Sequence, residues 1–181
     1  MKRLPVGTRL GPYRLLGPLG GGGAGAVYRA RDERLARPVA LKVLDLTDDS
    51  TGSQRRAFFD EARAMAEFDH PRLVRVYAAG ERGPIVYLAM ERVRGGDLDA
   101  WARAAGDRPA VADALQVVDD VAAGLAVLHR ARRIHGDVKP RNVLVDERGR
   151  ARLTDLGLSH RLGSVGGELV RGTPAYMAPE R

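Results

Sequence analysis

The chain contains no cysteine in 181 residues. That excludes a disulfide framework and cysteine-ligated zinc, and it fits a reducing compartment. It also lacks any apolar run approaching the roughly 18 residues of a membrane helix. The opening stretch MKRLPVGTRLGPYRLLG carries no apolar signal-peptide core. There is no internal repeat, and no low-complexity segment beyond one run of glycines. These absences lead to the expectation of a soluble, cytoplasmic chain without a membrane segment. What is present is a hydrophobic share of 44%, enough for a globular core.

The formal net charge is +7, which raises nucleic-acid binding as a candidate. The basic residues are mostly Arg, however, and they are spread along the chain and mixed with acids, as in RARDERLAR and ERGRARL. Such scatter reads as a general compositional bias, and no nucleic-acid partner is expected.

The first part of the chain reads as strands. YRLLGPL (13–19) and AVYRARD (26–32) flank a glycine-rich turn, and VALKVLD (39–45) follows. SQRRAFFDEARAMAEF (53–68) has Phe58, Ala62, Met65 and Ala66 at helical spacing, with Ser53 as its expected cap. LVRVYAAGE (73–81) and IVYLAMERV (85–93) add two strands, for about five strands and one helix. RGGDL (94–98) breaks the pattern and reads as a linker. Beyond it, DLDAWARAA suggests a short helix and AVADALQVVDDVAAGLAVLHRA (110–131) a long amphipathic one. The apolar positions of that long helix are 111, 115, 118, 121, 122, 125 and 128. VLVD (143–146) and ARLTD (151–155) read as short strands, and the stretch from Gly157 onward as loop.

Four motifs carry chemistry. LGGGGAGAVY places Gly20, Gly22 and Gly25 at GxGxxG spacing, which lets backbone N–H groups approach a phosphate. A glycine-rich hairpin turn has the same appearance. Because a strand follows the glycines instead of a helix, a flap over a nucleotide fits better than a dinucleotide-binding turn. Lys42 lies inside the apolar strand VALK, where it either snorkels to solvent from an edge or needs a partner. Glu61 shares a helical stripe with Phe58, Met65 and Phe68, and a Lys42–Glu61 ion pair would satisfy both groups. HGDVKPRN (135–142) brings Asp137, Lys139 and Asn142 together, and TDLG adds Asp155. Asp137 can accept a hydroxyl proton or orient that hydroxyl, Lys139 can neutralise charge on a moving phosphoryl group, and Asn142 and Asp155 are hard oxygen ligands of the kind Mg²⁺ prefers.

With these residues in this order, the chain from about Tyr13 to Arg181 resembles the eukaryotic-like Ser/Thr protein kinases, especially the bacterial ones. The resemblance implies an α+β, two-lobe fold. Residues 1–93 would form a nucleotide-binding lobe with a five-stranded antiparallel sheet and one helix. Residues 94–181 would form a mainly helical, incomplete second lobe. It implies ATP and Mg²⁺ as cofactors and a protein Ser/Thr hydroxyl as acceptor. Gly20, Gly22 and Gly25 would cover the phosphates, and Val27 and Ala40 would pack on adenine. Met90, Glu91 and Val93 in AMERVRGGDL would form the hinge, with Asp97 near the ribose. Lys42, paired with Glu61, would hold the α and β phosphates, Asp137 and Lys139 would act at the transferred group, and Asn142 and Asp155 would take the metal. Lys139 and Thr173 match the Ser/Thr branch. Met65, Leu88, His135 and Leu156 would stack as an internal column, making His135 structural.

Three departures qualify the resemblance. Leu156 stands where most relatives have Phe, a size-tolerant swap. Gly136 stands where most have Arg, so a phosphate clamp from the catalytic segment is missing. Between Gly157 and Gly172 the hydroxyl residues are Ser159 and Ser164, and phosphorylation there is not expected to be the switch. The sequence stops just after Ala-Pro-Glu, whereas a complete domain of the family runs to roughly 250–300 residues. An incomplete copy is therefore expected: aggregation-prone and weakly active alone, or completed by a partner chain. Two other functions compete with the kinase. A noncatalytic nucleotide-binding or regulatory fragment is one. A small-molecule phosphotransferase is the other, and GTPAYMAPE (172–180), which looks like a peptide-docking segment, argues against it.

Overall fold

The computed structural model describes residues 3–22, 25–47, 52–106, 108–155 and 173–176. The chain separates into two compact units, Met1–Glu67 with Arg75–Arg92, and Phe68–Val74 with Val93–Arg181. The division expected after Val93 falls after Arg92. Segment 68–74, expected with the first part, belongs to the second.

The first unit is built on β1 (Arg9–Leu10), β2 (Tyr13–Gly22), β3 (Gly25–Asp32), β4 (Arg37–Asp45), β5 (Val76–Arg82) and β6 (Ile85–Met90). They form one antiparallel sheet of six strands in the order β1-β2-β3-β4-β6-β5, not five, because Arg9–Leu10 pairs with Tyr13–Arg14. A two-residue strand carries no periodic signal, so sequence reading passes over it. Period-two alternation sorts the sheet residues. Tyr28, Val39, Leu41, Val43 and Tyr87 enter one buried cluster with Leu10, Tyr13, Leu15, Ala30 and Ala89. The helix α1 (Ser53–Ala66) buries Phe58, Ala62, Ala64 and Met65. Its cap is Gly52 in a left-handed conformation, not Ser53, which is already the first helical residue.

The second unit holds a three-stranded sheet of β7 (Gly95–Asp97), β8 (Val143–Asp146) and β9 (Ala151–Leu153), in that order, with helices α2 (Leu98–Ala104) and α3 (Val111–Arg130). The expected linker RGGDL is therefore partly a strand: Gly95–Asp97 pairs antiparallel with Leu144–Asp146. The strand expected to start at Leu73 starts at Val76. Leu73 instead forms a parallel bridge to Leu153, and the Val74 amide donates to the Leu153 carbonyl at 2.8 Å. That pairing is why 68–74 goes with the second unit. The buried stripe of α3 is Val117, Asp120, Gly124 and Leu128, whereas Val111, Leu115 and Val118 are exposed. With Ala122 also exposed, four of the apolar positions expected on that helix thus face outward, and an acid takes a buried place. No helix of the described residues is long and apolar enough to cross a membrane.

Candidate active site

Strand register brings the first unit's candidate residues to one face. Gly20 pairs with Val27, Val27 with Lys42, Lys42 with Leu88, and Ala40 with Met90. Residues opposite each other in an antiparallel pair point to the same side, so Val27, Ala40, Lys42 and Met90 share the face opposite the aromatic cluster. Gly22 pairs with Gly25 where β2 turns into β3. Gly25 has φ +109, and a Cβ there would meet the Val43 carbonyl at 2.5 Å, so only glycine fits.

Lys42 is 9% exposed. Its Nζ lies 2.9 Å from Glu61 Oε1, and the Glu61 side chain is only 17% exposed. The amine is therefore neither a snorkelling edge lysine nor unpaired; a helix one turn from its own buried Phe58 delivers the counter-charge. The Glu91 amide donates to the Arg75 carbonyl at 2.8 Å, so any backbone contact of Glu91 with an adenine runs through its carbonyl.

In the second unit, Asp137, Lys139 and Thr173 form a triangle. Lys139 Nζ lies 2.6 Å from Asp137 Oδ2 and donates to Thr173 Oγ1 at 2.8 Å. Thr173 Oγ1 donates to Asp137 Oδ1 at 2.8 Å. Asn142 closes the group: its Nδ2 donates to the Asp137 carbonyl at 2.8 Å and to Asp137 Oδ2 at 3.1 Å. Burial pushes the Asp137 carboxyl up, but the bonds from Lys139 and Thr173, the Lys139 charge and the Asn142 amide outweigh it and hold the group below the usual carboxylate range. It is ionised at neutral pH.

A tight turn at Pro140–Asn142 positions the amide. The Asn142 N–H donates to the Lys139 carbonyl at 2.9 Å, and the Asn142 carbonyl accepts from the Thr154 amide at 3.0 Å. Asp155 follows, with φ 56, a left-handed conformation that is strained for a non-glycine residue and that aspartate tolerates better than most. His135 is 1% exposed, with Nε2 3.1 Å from the Thr154 carbonyl. Burial lowers its pKa more than the Thr154 carbonyl and the nearby Asp137 and Asp155 raise it, so the ring is neutral at physiological pH. Gly136, between His135 and Asp137, has φ 79; glycine reaches that region without strain.

The donor set suits a small hard cation. The Asn142 amide nitrogen is committed to Asp137, which leaves the amide oxygen as the atom a cation would take, and Asp155 carries a carboxylate. Among the described residues no cluster of three acids or histidines forms an all-protein metal cage. Mg²⁺ characteristically binds through one or two protein oxygens plus substrate phosphates.

Asp97 caps α2, its Oδ1 accepting from the Ala100 amide at 2.8 Å. Val93 is half-buried at the start of the second unit. Of the expected internal column, Met65 and Leu88 are buried in the first unit and His135 in the second, while Leu156 lies outside the described residues. Ser159, Ser164 and Ala178–Glu180 also lie outside them. Sequence reading passed over Asp120. Its signal was an acid in the same helical stripe as Val117, Gly124 and Leu128.

A family model, the protein kinase domain, matches residues 13–181. A probable serine/threonine-protein kinase, pknA2 of Bifidobacterium longum, is 39% identical over 179 residues, covering 94% of this chain and 23% of that protein. The serine/threonine-protein kinase PrkC of Bacillus subtilis is 34% identical, covering 97% of this chain and 28% of its own length. PknL of Mycobacterium tuberculosis, a serine/threonine-protein kinase, is 37% identical, covering 93% of this chain and 43% of its own. The chain thus spans less than half the length of these relatives. With an antiparallel sheet carrying a Lys–Glu pair, a second unit carrying the Asp137 triangle, and a family model matched over nearly its whole length, the chain belongs to the protein kinase domain family.

Proposed function

We propose that this chain is the catalytic part of a Ser/Thr protein kinase that transfers the γ-phosphate of ATP to a protein hydroxyl. The observation that carries the reading is the Asp137–Lys139–Thr173 triangle braced by Asn142. The carboxylate is held too acidic to be a strong base, so Asp137 orients the acceptor hydroxyl more than it removes its proton. Lys139, already 2.6 Å from that carboxylate, neutralises charge on the transferred group. Lys42, fixed by Glu61, holds the α and β phosphates. Gly20, Gly22 and Gly25 let backbone amides approach the triphosphate. Val27, Ala40 and Met90 pack on adenine, with Glu91 and Val93 offering backbone groups to its edge and Asp97 lying toward the ribose. Asn142 and Asp155 would hold Mg²⁺, which would supply positive charge beside the phosphoryl oxygens. The Ser/Thr preference is supported by Lys139 and Thr173 and by the names of the relatives. We place the reaction in the cytoplasm, where ATP is available to a cysteine-free chain.

The test is transfer of radiolabelled γ-phosphate to a generic basic protein, with Lys42→Ala and Asp137→Ala assayed in parallel. Transfer that falls at least about a hundredfold in both variants supports the reading; transfer equal to either variant overturns it.

A further inference from the structure

Asp120, in the middle of α3, is 1% exposed and ringed by five donors. Its Oδ1 accepts from Arg150 Nη2 at 2.7 Å and Gln116 Nε2 at 3.2 Å, and lies 3.0 Å from Arg72 Nε. Its Oδ2 accepts from Arg150 Nε and from the Ala151 amide, both at 2.9 Å. A buried carboxylate this fully satisfied needs no partner from outside. What matters is where the donors sit. Ala151 opens β9 and Arg150 precedes it. Arg72 grips the same strand from its other edge, since the Leu153 amide donates to the Arg72 carbonyl at 2.9 Å. One carboxylate on α3 therefore ties both neighbours of β9 to a single point.

The strand so held leads directly to the proposed metal ligands. After Leu153, the Thr154 amide binds the Asn142 carbonyl, the Thr154 carbonyl takes His135, and Asp155 follows in its left-handed conformation. A slip at Ala151 propagates along four residues to Asp155, because an extended strand transmits displacement along its length. Asp155 has little freedom to compensate, since its strained φ is sustained by these surroundings.

We propose that Asp120 is a positioning residue for the Asp155–Asn142 oxygen pair, acting through β9 with Arg72 and Arg150 as its clasp. The proposal rests on the reading of those two oxygens as metal ligands. A clasp that was only structural would change stability and nothing else; a positioning clasp changes how strongly metal and ATP assist each other's binding.

The experiment measures ATP affinity calorimetrically with Mg²⁺ and with EDTA, on the whole chain and on Asp120→Asn, Arg150→Gln and Asp155→Asn. The ratio of the two affinities is the metal coupling. Asp120→Asn keeps its affinity in EDTA within about twofold and loses at least about fivefold of the coupling, with Arg150→Gln intermediate. Folded variants with wild-type coupling overturn the proposal. Where Asp120→Asn fails to fold, Arg150→Gln decides, since that side chain is 39% exposed and its removal leaves three donors on the acid. A parent chain without coupling, or one whose coupling survives Asp155→Asn, overturns the metal-ligand reading itself and the proposal with it.

Discussion

Thr173 Oγ1 sits 2.8 Å from Asp137 Oδ1 and 2.8 Å from Lys139 Nζ, although 36 residues separate it from the aspartate. A hydroxyl has one hydrogen to give and lone pairs to receive. Here it gives to the acid and receives from the amine, so it fixes both in one geometry.

Replacing that hydroxyl tests its part. Thr173→Ser retains donor and acceptor and keeps phosphotransfer within about threefold. Thr173→Val keeps the shape, loses the bonds, and lowers kcat by roughly ten- to a hundredfold with a smaller change in the KM for ATP. Steady-state kinetics on both variants check this, and equal activity in Thr173→Val counts against it.

The Lys42–Glu61 pair is largely buried, with side-chain exposures of 11% and 17%. Glu61→Ala removes a counter-charge from a desolvated amine and costs about 1–3 kcal/mol. A lower urea midpoint with unchanged slope, together with weaker ATP binding, is the expected result. An unchanged midpoint shows that the pair contributes nothing.

Acid destabilises this protein in two stages. His135 is depressed by burial, so the unfolded chain binds a proton that the folded one refuses. Stability is therefore full above about pH 6.5 and falls as pH drops through the folded pKa. Asp137 and Asp120 are depressed through their donors, against the opposing effect of burial, so their contribution is full above about pH 4 and is lost below it. Urea midpoints measured from pH 4 to 8 should rise with pH. In His135→Gln the part of that rise just below about pH 6.5 should shrink; an unaltered profile assigns the effect elsewhere.

Gly136 has φ 79, where a Cβ is strained. Gly136→Ala should cost about 1–2 kcal/mol by thermal melts, and an unchanged melting temperature contradicts it. The missing arginine at this place also bears on Ser159 and Ser164. Alanine at both serines should leave the phosphotransfer rate unchanged, and a tenfold fall would show that phosphorylation there does control it.

The candidate residues of the second unit were legible because the sequence concentrates them. His135, Asp137, Lys139 and Asn142 lie within eight positions, and a loop that must aim several groups at one phosphate leaves few spacings free. Strand alternation likewise put Ala40 and Lys42 on one face, and the helical stripe carrying Glu61 made it the partner of that lysine. Less visible were elements too short to show a period: β1 with two residues, β7 with three. The capping of α2 by Asp97 was also missed, since an acid before a short helix has more than one use.

The order of chemical groups along the chain, and hence the family and the residues that serve it, is written locally, in motifs whose members are neighbours in sequence. Long-range pairing is not. Arg72, Asp120 and Arg150 are scattered, and each read singly is an ordinary surface charge. Only folding revealed that the acid is buried and satisfied, that 68–74 joins β9 and not the larger sheet, and that Thr173 reaches Asp137. Burial depends on what the rest of the chain packs against a residue, and no window of sequence contains that.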